Sequence, residues 1–339
     1  MQNQRPIVGA IEAGGTKFVV AVGSGPGEEL LARAQFPTGD DPKELLSEVI
    51  AWLLDEERKH GKLAALGVAS FGPLDLDRSS PTYGFITTTP KRGWKNTDIV
   101  GPLRAAFGNR AIGFDTDVNG AALGEGRWGA ARAIEGSGIE GSGIEGCGVE
   151  GCGLEDFVYV TVGTGIGGGG VVRGKLMHGL VHPEMGHIPM PVLDGDRFAG
   201  ACAIHGRCWE GLCAGPAIEA RAGKPAAELA ADDPTWDLTA RYMAHAFATL
   251  SYVLSPRRII FGGSVRKGGN LGEAAFFAKT RTHLLDALAG YIDSPMLTPT
   301  GVANYLVPPL LGDDAGVCGA IALAHDALRD ELRAKSNND

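Results

Sequence analysis

The chain has 339 residues, of which 44% are hydrophobic and 21% charged, a balance that suits two buried cores and excludes global disorder. Acidic side chains outnumber basic ones 40 to 31, and the net charge of -9 argues against a general nucleic-acid or membrane-surface binder. Six cysteines in a chain this long make no disulfide framework. No apolar run of about 18 residues marks a membrane span, and the opening Met-Gln-Asn-Gln-Arg-Pro lacks the apolar core of a secretion signal, so a cytoplasmic location without membrane association is expected.

The first elements read as an apolar strand, a glycine turn and a second apolar strand over Ile7 to Val22, with Glu12-Ala13-Gly14-Gly15-Thr16-Lys17 at the turn. Leu45, Leu46, Val49, Ile50, Leu53 and Leu54 give helical periodicity to Pro42–Arg58. Leu63 to Phe71 reads as a strand that Gly72-Pro73 ends, and Ala111 to Phe114 as a short strand running into Asp115-Thr116-Asp117-Val118-Asn119. Gly120 to Ala131 is then expected to be helical, with Asp117 or Asn119 as its N-cap.

Five-residue repeats follow. From Ile134, four near-identical pentads of the type Ile-Glu-Gly-Ser-Gly run on and a fifth begins, a period that matches neither helix nor strand. The segment 134–155 is expected to be a surface-loop insertion, since lengthening a loop costs little, rather than a small binding repeat built on Cys147 and Cys152.

A second strand, glycine turn and strand come at Phe157 to Val162 and Gly169 to Arg173, joined by Gly163-Thr164-Gly165-Ile166-Gly167-Gly168. Helices are expected at Pro216–Ala222, Leu238–Leu254 and Gly316–Leu332, with a strand at Arg258–Phe261 closed by Gly262-Gly263. Two similar units, each heading a mixture of strands and helices, suggest two related α/β domains with a cleft between them.

Four constellations carry chemistry. The two glycine turns let backbone N–H groups approach a phosphate, with hydroxyls from Thr16 and Thr164 and a charge from Lys17; neither turn is a Walker loop or a dinucleotide fingerprint. Asp115-Thr116-Asp117 follows a strand's carboxyl end, where α/β domains line their crevice, and supplies carboxylates able to take a proton from an attacking hydroxyl. His187, Cys202, His205 and Cys208, spaced by 15, 3 and 3 residues, form a two-histidine, two-cysteine set with no open position, the pattern of structural zinc. Glu184 and Glu210 lie within three residues of a proposed ligand, where a metal-fixed loop would hold them against sugar hydroxyls. His182 is a candidate neighbour of the substrate, and His178 is taken as loop polarity.

Together these residues resemble the ROK family of sugar kinases and repressors, in the superfamily that also holds hexokinase and actin. The resemblance rests on Glu12–Lys17, Phe71-Gly72-Pro73, Asp115–Asn119, Gly163–Gly168, His182-Pro183-Glu184-Met185-Gly186-His187 with the zinc cluster, Gly262-Gly263-Ser264 and Tyr305–Gly316. It implies a two-lobed, ribonuclease H-like α/β fold, with 1–117 plus 318–339 as a smaller lobe and 118–317 as a larger one carrying the zinc loop 187–208. Glu-Ala in place of the family's common Asp-Ile, and Cys-x-x-His-x-x-Cys in place of Cys-x-Cys-Gly-x-x-Gly-Cys, look like its bacterial fructokinase branch. Thr116 stands where glucokinases of the family usually have Asn.

The resemblance implies ATP-dependent phosphorylation of D-fructose at its 6-hydroxyl, with Asp117 as general base. It implies Glu184, His187, Glu210, Gly72 and Thr116 around the sugar, His187 also serving the zinc. Gly14, Gly15, Thr16 and Lys17 match its first phosphate loop, Thr164, Gly165 and Gly167 its second, and Gly262 and Gly263 its adenosine-side turn. ATP, Mg²⁺ and a structural Zn²⁺ are the implied cofactors, and a homodimer the implied assembly. The alternatives are a kinase for glucose or mannose and a non-catalytic sugar-binding regulator. A repressor of this family carries a helix-turn-helix domain ahead of the sugar fold, whereas here the first strand begins at Ile7.

Overall fold

The computed structural model describes residues 5–132 and 153–336. The expected pentad insertion therefore lies outside the described residues except at its end, 153–155.

The first half is built on a five-stranded sheet. Its chain order is β1 (Val8–Ala13), β2 (Lys17–Gly23), β3 (Leu30–Pro37), helix α1 (Pro42–His60) and β4 (Ala65–Ser70). Two short paired strands, β5 (Phe85–Ile86) and β6 (Thr97–Asp98), precede helix α2 (Val100–Phe107) and β7 (Ala111–Thr116). The spatial order is β3-β2-β1-β4-β7, antiparallel on the β3 side of β1 and parallel on the other. β1 and β4 are apolar along nearly their whole length because both of their faces are covered. α1 starts where it does because Asp41 accepts hydrogen bonds from the N–H groups of Lys43 and Glu44, at 3.0 and 3.1 Å, ahead of Pro42 in the first turn.

The second half repeats the plan. Helix α3 (Asp117–Trp128) leads to β8 (Phe157–Val162), β9 (Ile166–Val172) and β10 (Lys175–Leu176). Helices α4 (Trp209–Cys213), α5 (Gly215–Ala222) and α6 (Pro234–Leu254) come next, then β11 (Ile259–Gly262), α7 (Glu273–Leu288), α8 (Val302–Tyr305), β12 (Leu306–Val307) and α9 (Ala315–Ser336). The sheet order is β10-β9-β8-β11-β12, with the same antiparallel and parallel sides. In each sheet the order is third, second, first, fourth, fifth strand, so the two-lobed ribonuclease H-like α/β fold is what the chain adopts.

α9 lies across β1, β4 and β7, α3 lies against β8 and β9, and the two helices cross each other. The crossing is close enough that a Cβ on Gly319 would overlap the backbone of Gly120, and one on Gly124 would lie 2.7 Å from the Ala315 carbonyl oxygen. One core lies between the first sheet and α1 and α2, around Trp94 and Phe18; a larger one lies between the second sheet and α6 and α7, around Trp209, Phe247 and Phe261. Among the described residues no helix is long and apolar enough to cross a membrane.

Candidate active site

β7 runs into α3 at the seam between the halves. Its last residue, Thr116, is buried and caps α3, its hydroxyl accepting the Asn119 N–H at 3.1 Å. The cap expected at Asp117 or Asn119 thus falls one residue earlier, and Asp117 occupies the first helical turn, where the positive end of the helix favours a carboxylate. Asp117 Oδ1 accepts the Val118 N–H at 2.9 Å, and its other oxygen has no partner among the described residues.

Burial pushes the Asp117 carboxyl up to about 7, against the pull of the backbone N–H groups, and the charge of Glu184 pushes the same way. A group that half-ionises near neutrality suits a proton acceptor working there. Part of the side chain is open to solvent, which screens some of this shift.

A second raised carboxyl is Glu12, the penultimate residue of β1. Burial lifts it to about 7, and the charge of Asp117 adds to this while Lys17 and Arg33 oppose it. Its Oε2 is buried without a hydrogen-bond partner, and the carboxyl rests against Gly316 in the first turn of α9. The sequence marked Glu12 only as a departure from the family's Asp; the signal for a site role was that an acid opens the first glycine turn.

Both acids hold their protons more tightly in the folded chain than in the unfolded one. Stability is therefore present at low pH and lost as pH rises from about 4 through about 7. Asp117→Asn removes one of these penalties. In calorimetry without ligands it melts about 2–4 °C above the parent at pH 8 and level with it at pH 4; a lower melting temperature at pH 8 contradicts the assignment.

Asp115 is a positioning residue. Its Oδ1 accepts from the Thr116 N–H and from Asn119 Nδ2, both at 2.8 Å, and its Oδ2 lies 2.8 Å from His178 Nε2. The hydrogen bond to Asp115 pushes the His178 ring up, although burial pulls it down. Asn119 also accepts the Gly170 N–H of β9 at 3.2 Å. His178, taken from sequence as loop polarity, is instead the partner of Asp115, a contact between residues 63 apart that spacing does not reveal.

The first glycine turn closes with the Gly14 N–H on the Lys17 carbonyl at 3.0 Å, and Thr38 Oγ1 donates to the Gly14 carbonyl at 2.7 Å. Gly15, Thr16 and Lys17 are exposed. The second turn is shorter than expected. Gly163, Thr164 and Gly165 form it, while Ile166, Gly167 and Gly168 already belong to β9. Gly167 pairs with Thr161, and a Cβ on it would stand 2.8 Å from the Val118 side chain of α3. Its glycine is needed for helix-to-sheet contact at that point. Gly262 ends β11, and Gly263 turns the chain with φ +85°, next to the Val162 backbone. The Gly215 N–H bonds to the Gly163 carbonyl at 2.7 Å, which brings the start of α5 to the second turn.

The proposed zinc ligands converge. One ligand atom each from His187, Cys202, His205 and Cys208 lies within 4.8 Å of all the others. Cys202 Sγ is 4.0 Å from His187 Nδ1 and 3.8 Å from His205 Nδ1, and Cys208 Sγ is 3.5 Å from His187 Nδ1. Tetrahedral zinc with Zn–S of about 2.3 Å and Zn–N of about 2.0–2.1 Å sets such atoms about 3.5 Å apart, so this donor set and spacing fit the metal.

The loop carries both glutamates. Glu184 precedes the 3₁₀ turn Met185–His187, its carbonyl accepting the His187 N–H at 3.0 Å. On the other limb the Trp209 N–H bonds to the Ile188 carbonyl at 2.9 Å, and Glu210 lies two residues beyond Cys208 in α4. Glu210 Oε2 accepts the Ile166 N–H at 2.9 Å, so this acid joins the zinc loop to the second glycine turn. The base of the loop is tied by Asp196, which accepts from Arg221 at 2.7 Å, Tyr242 at 2.5 Å and Arg207 at 3.3 Å. Burial works against the Asp196 charge, yet these donors hold its carboxyl well below the usual range.

The ROK family profile matches residues 8–137 and 146–327. The chain belongs to the ROK family. Within it, a fructokinase of Zymomonas mobilis is 40% identical over 328 residues, which span 96% of this chain and 98% of that one. A fructokinase of Pediococcus pentosaceus is 35% identical over 323 residues, 95% of this chain and 99% of its own. Among solved structures, a ROK hexokinase from Thermus thermophilus superposes with a TM-score of 0.72 at 27% identity, covering 96% of this ROK chain and 99% of that one.

Proposed function

We propose that this protein transfers the γ-phosphoryl group of ATP to the 6-hydroxyl of D-fructose, giving fructose 6-phosphate and ADP. The observation that carries the reading is Asp117, a carboxylate at the seam of the two halves with one uncommitted oxygen and a proton affinity matched to neutral pH. The near full-length similarity to fructokinases supports fructose as the sugar.

In this reading Asp117 takes the proton of the 6-hydroxyl as its oxygen bonds to the γ-phosphorus and the bond to the bridging oxygen of ADP breaks. Glu184, His187, Glu210, Gly72 and Thr116 surround the sugar. Gly14, Gly15, Thr16 and Lys17 hold phosphate from the first turn, Thr164, Gly165 and Gly167 from the second, and Gly262 and Gly263 flank the adenosine. Glu12, whose Oε2 is buried without a hydrogen-bond partner and whose carboxyl feels the charges of Asp117 and Asp314 as well as those of Lys17 and Arg33, would help hold Mg²⁺, which would supply neutralising charge to the phosphates. His187, Cys202, His205 and Cys208 would hold Zn²⁺ as a structural ion. The parts 1–117 plus 318–339 and 118–317 act as the two bodies that close on substrate, in a cytoplasmic homodimer.

The position of transfer tests the chemistry. Phosphorus NMR of a reaction with D-fructose, ATP and Mg²⁺ shows fructose 6-phosphate, and 6-deoxyfructose is not turned over. Phosphorylation at the 1-hydroxyl, or turnover of 6-deoxyfructose, contradicts the proposal.

A further inference from the structure

His182, from sequence a candidate neighbour of the substrate, is buried at a junction of the two halves. It sits between β10 and the Met185–His187 turn, on the second sheet's side. Its Nε2 accepts the N–H of Leu74, which follows β4 on the first sheet's side, at 3.1 Å. Its Nδ1 lies 3.5 Å from Glu184 Oε1. A neutral imidazole has one donor and one acceptor nitrogen. With Nε2 accepting from a backbone N–H, the proton is on Nδ1 and faces Glu184.

The donor side of this bridge, at Leu74, is firmly held. The Pro73 carbonyl accepts both the Thr87 N–H, at 2.8 Å, and Thr87 Oγ1, at 3.0 Å, and Leu74 pairs with Ile86. Gly72 leaves room for the ring, since a Cβ there would stand 3.3 Å from His182 Nε2. His182 therefore bonds to Leu74, approaches Glu184 and occupies the space a side chain on Gly72 would need, and two of these three are residues given to the sugar.

We propose that His182 is a positioning residue for the sugar: it orients the Glu184 carboxylate by anchoring it to the backbone of the Gly72–Leu74 loop across the seam. The proposal rests on the sugar-site reading of Glu184. It places the effect of His182 in sugar binding and leaves nucleotide binding alone.

Steady-state kinetics of the full chain with fructose and ATP, over four single variants and one double variant, test it. His182→Ala raises the fructose KM about tenfold, the effect of losing a close polar contact to a charged group, with the ATP KM within about twofold of the parent. His182→Asn keeps a donor near the Nδ1 position and loses the Leu74 bond, while His182→Gln keeps an acceptor near Nε2 and loses the donor; each falls between parent and alanine. Adding His182→Ala to Glu184→Gln costs no more than Glu184→Gln alone, because both act through one carboxylate. An unchanged fructose KM in the asparagine and glutamine variants, an ATP KM that rises as much as the fructose KM, or additive losses in the double variant overturns the proposal. If Glu184→Gln itself leaves the fructose KM untouched, the sugar-site reading fails first, and the proposal with it.

Discussion

Asp117→Asn lowers kcat by roughly 10²–10⁴-fold, the range a positioned general base contributes, while fructose and ATP still bind. Asparagine keeps the shape and can still accept the Val118 N–H that Asp117 Oδ1 accepts at 2.9 Å, so α3 is not disturbed. What it loses is the oxygen with no partner among the described residues. For the parent, kcat/KM falls as pH drops below about 7, because the base must be ionised and burial has raised its carboxyl to about that value. Rapid-mix kinetics for turnover and calorimetric titration for sugar binding check the two halves of this expectation. Turnover within tenfold of the parent removes Asp117 from the chemistry.

The second large effect belongs to the zinc loop. If His187, Cys202, His205 and Cys208 hold zinc as proposed, elemental analysis of purified protein is expected to find about one zinc per chain, and Cys208→Ser is expected to lose it. Cys208 is buried beside His187, with 3.5 Å between sulfur and Nδ1, and its neighbour Trp209 ties the two limbs of the loop at Ile188. Without the metal the backbone bond between the limbs remains, but the fixed spacing of His187 and Cys208, and with it that of Glu184 and Glu210, is lost. The fructose KM then rises at least about tenfold, as expected for the loss of charge-assisted contacts. The melting temperature falls by about 5 °C, roughly 2–3 kcal/mol for a chain of this size. The remaining ties at Asp196 keep the loop's base in place, so the chain folds and the kinetic effect can be read. Zinc-free protein with an unchanged fructose KM contradicts the fastening role.

Much of this was legible in the chain. Both glycine turns, α1, α6 and α9 follow from period and punctuation, since their apolar positions repeat regularly and glycine or proline marks their ends. β3 was not legible: its residues are alternately half-buried and exposed, without one fully buried face, because it is the outer strand of its sheet. α2 and α7 also escaped. In α7, Phe276, Phe277, Thr280, Leu284 and Leu288 are buried, but Lys279, Arg281 and His283 interleave with them and blur the stripe.

At the site, the residue types and their local spacing picked out His187, Cys202, His205 and Cys208 as candidate metal ligands, and the structure brings them together. Contacts between distant segments could not be read: Asp115 with His178, Glu210 with Ile166 and His182 with Leu74 join residues 63, 44 and 108 apart. Of the glycines of β9, Gly167 and Gly168 read as turn from sequence, whereas Gly169 and Gly170 read as strand. Their reason is tertiary, since α3 and Met185 press against Gly167, Gly168 and Gly169.

The most direct measurement of the central claim is phosphate transfer from ATP with Mg²⁺ across D-fructose, D-glucose and D-mannose, each followed to kcat/KM. Fructose exceeding both other hexoses by at least about tenfold, a difference of roughly 1.4 kcal/mol in transition-state binding, is the predicted result. No turnover of fructose, or glucose or mannose ahead of it, contradicts the account.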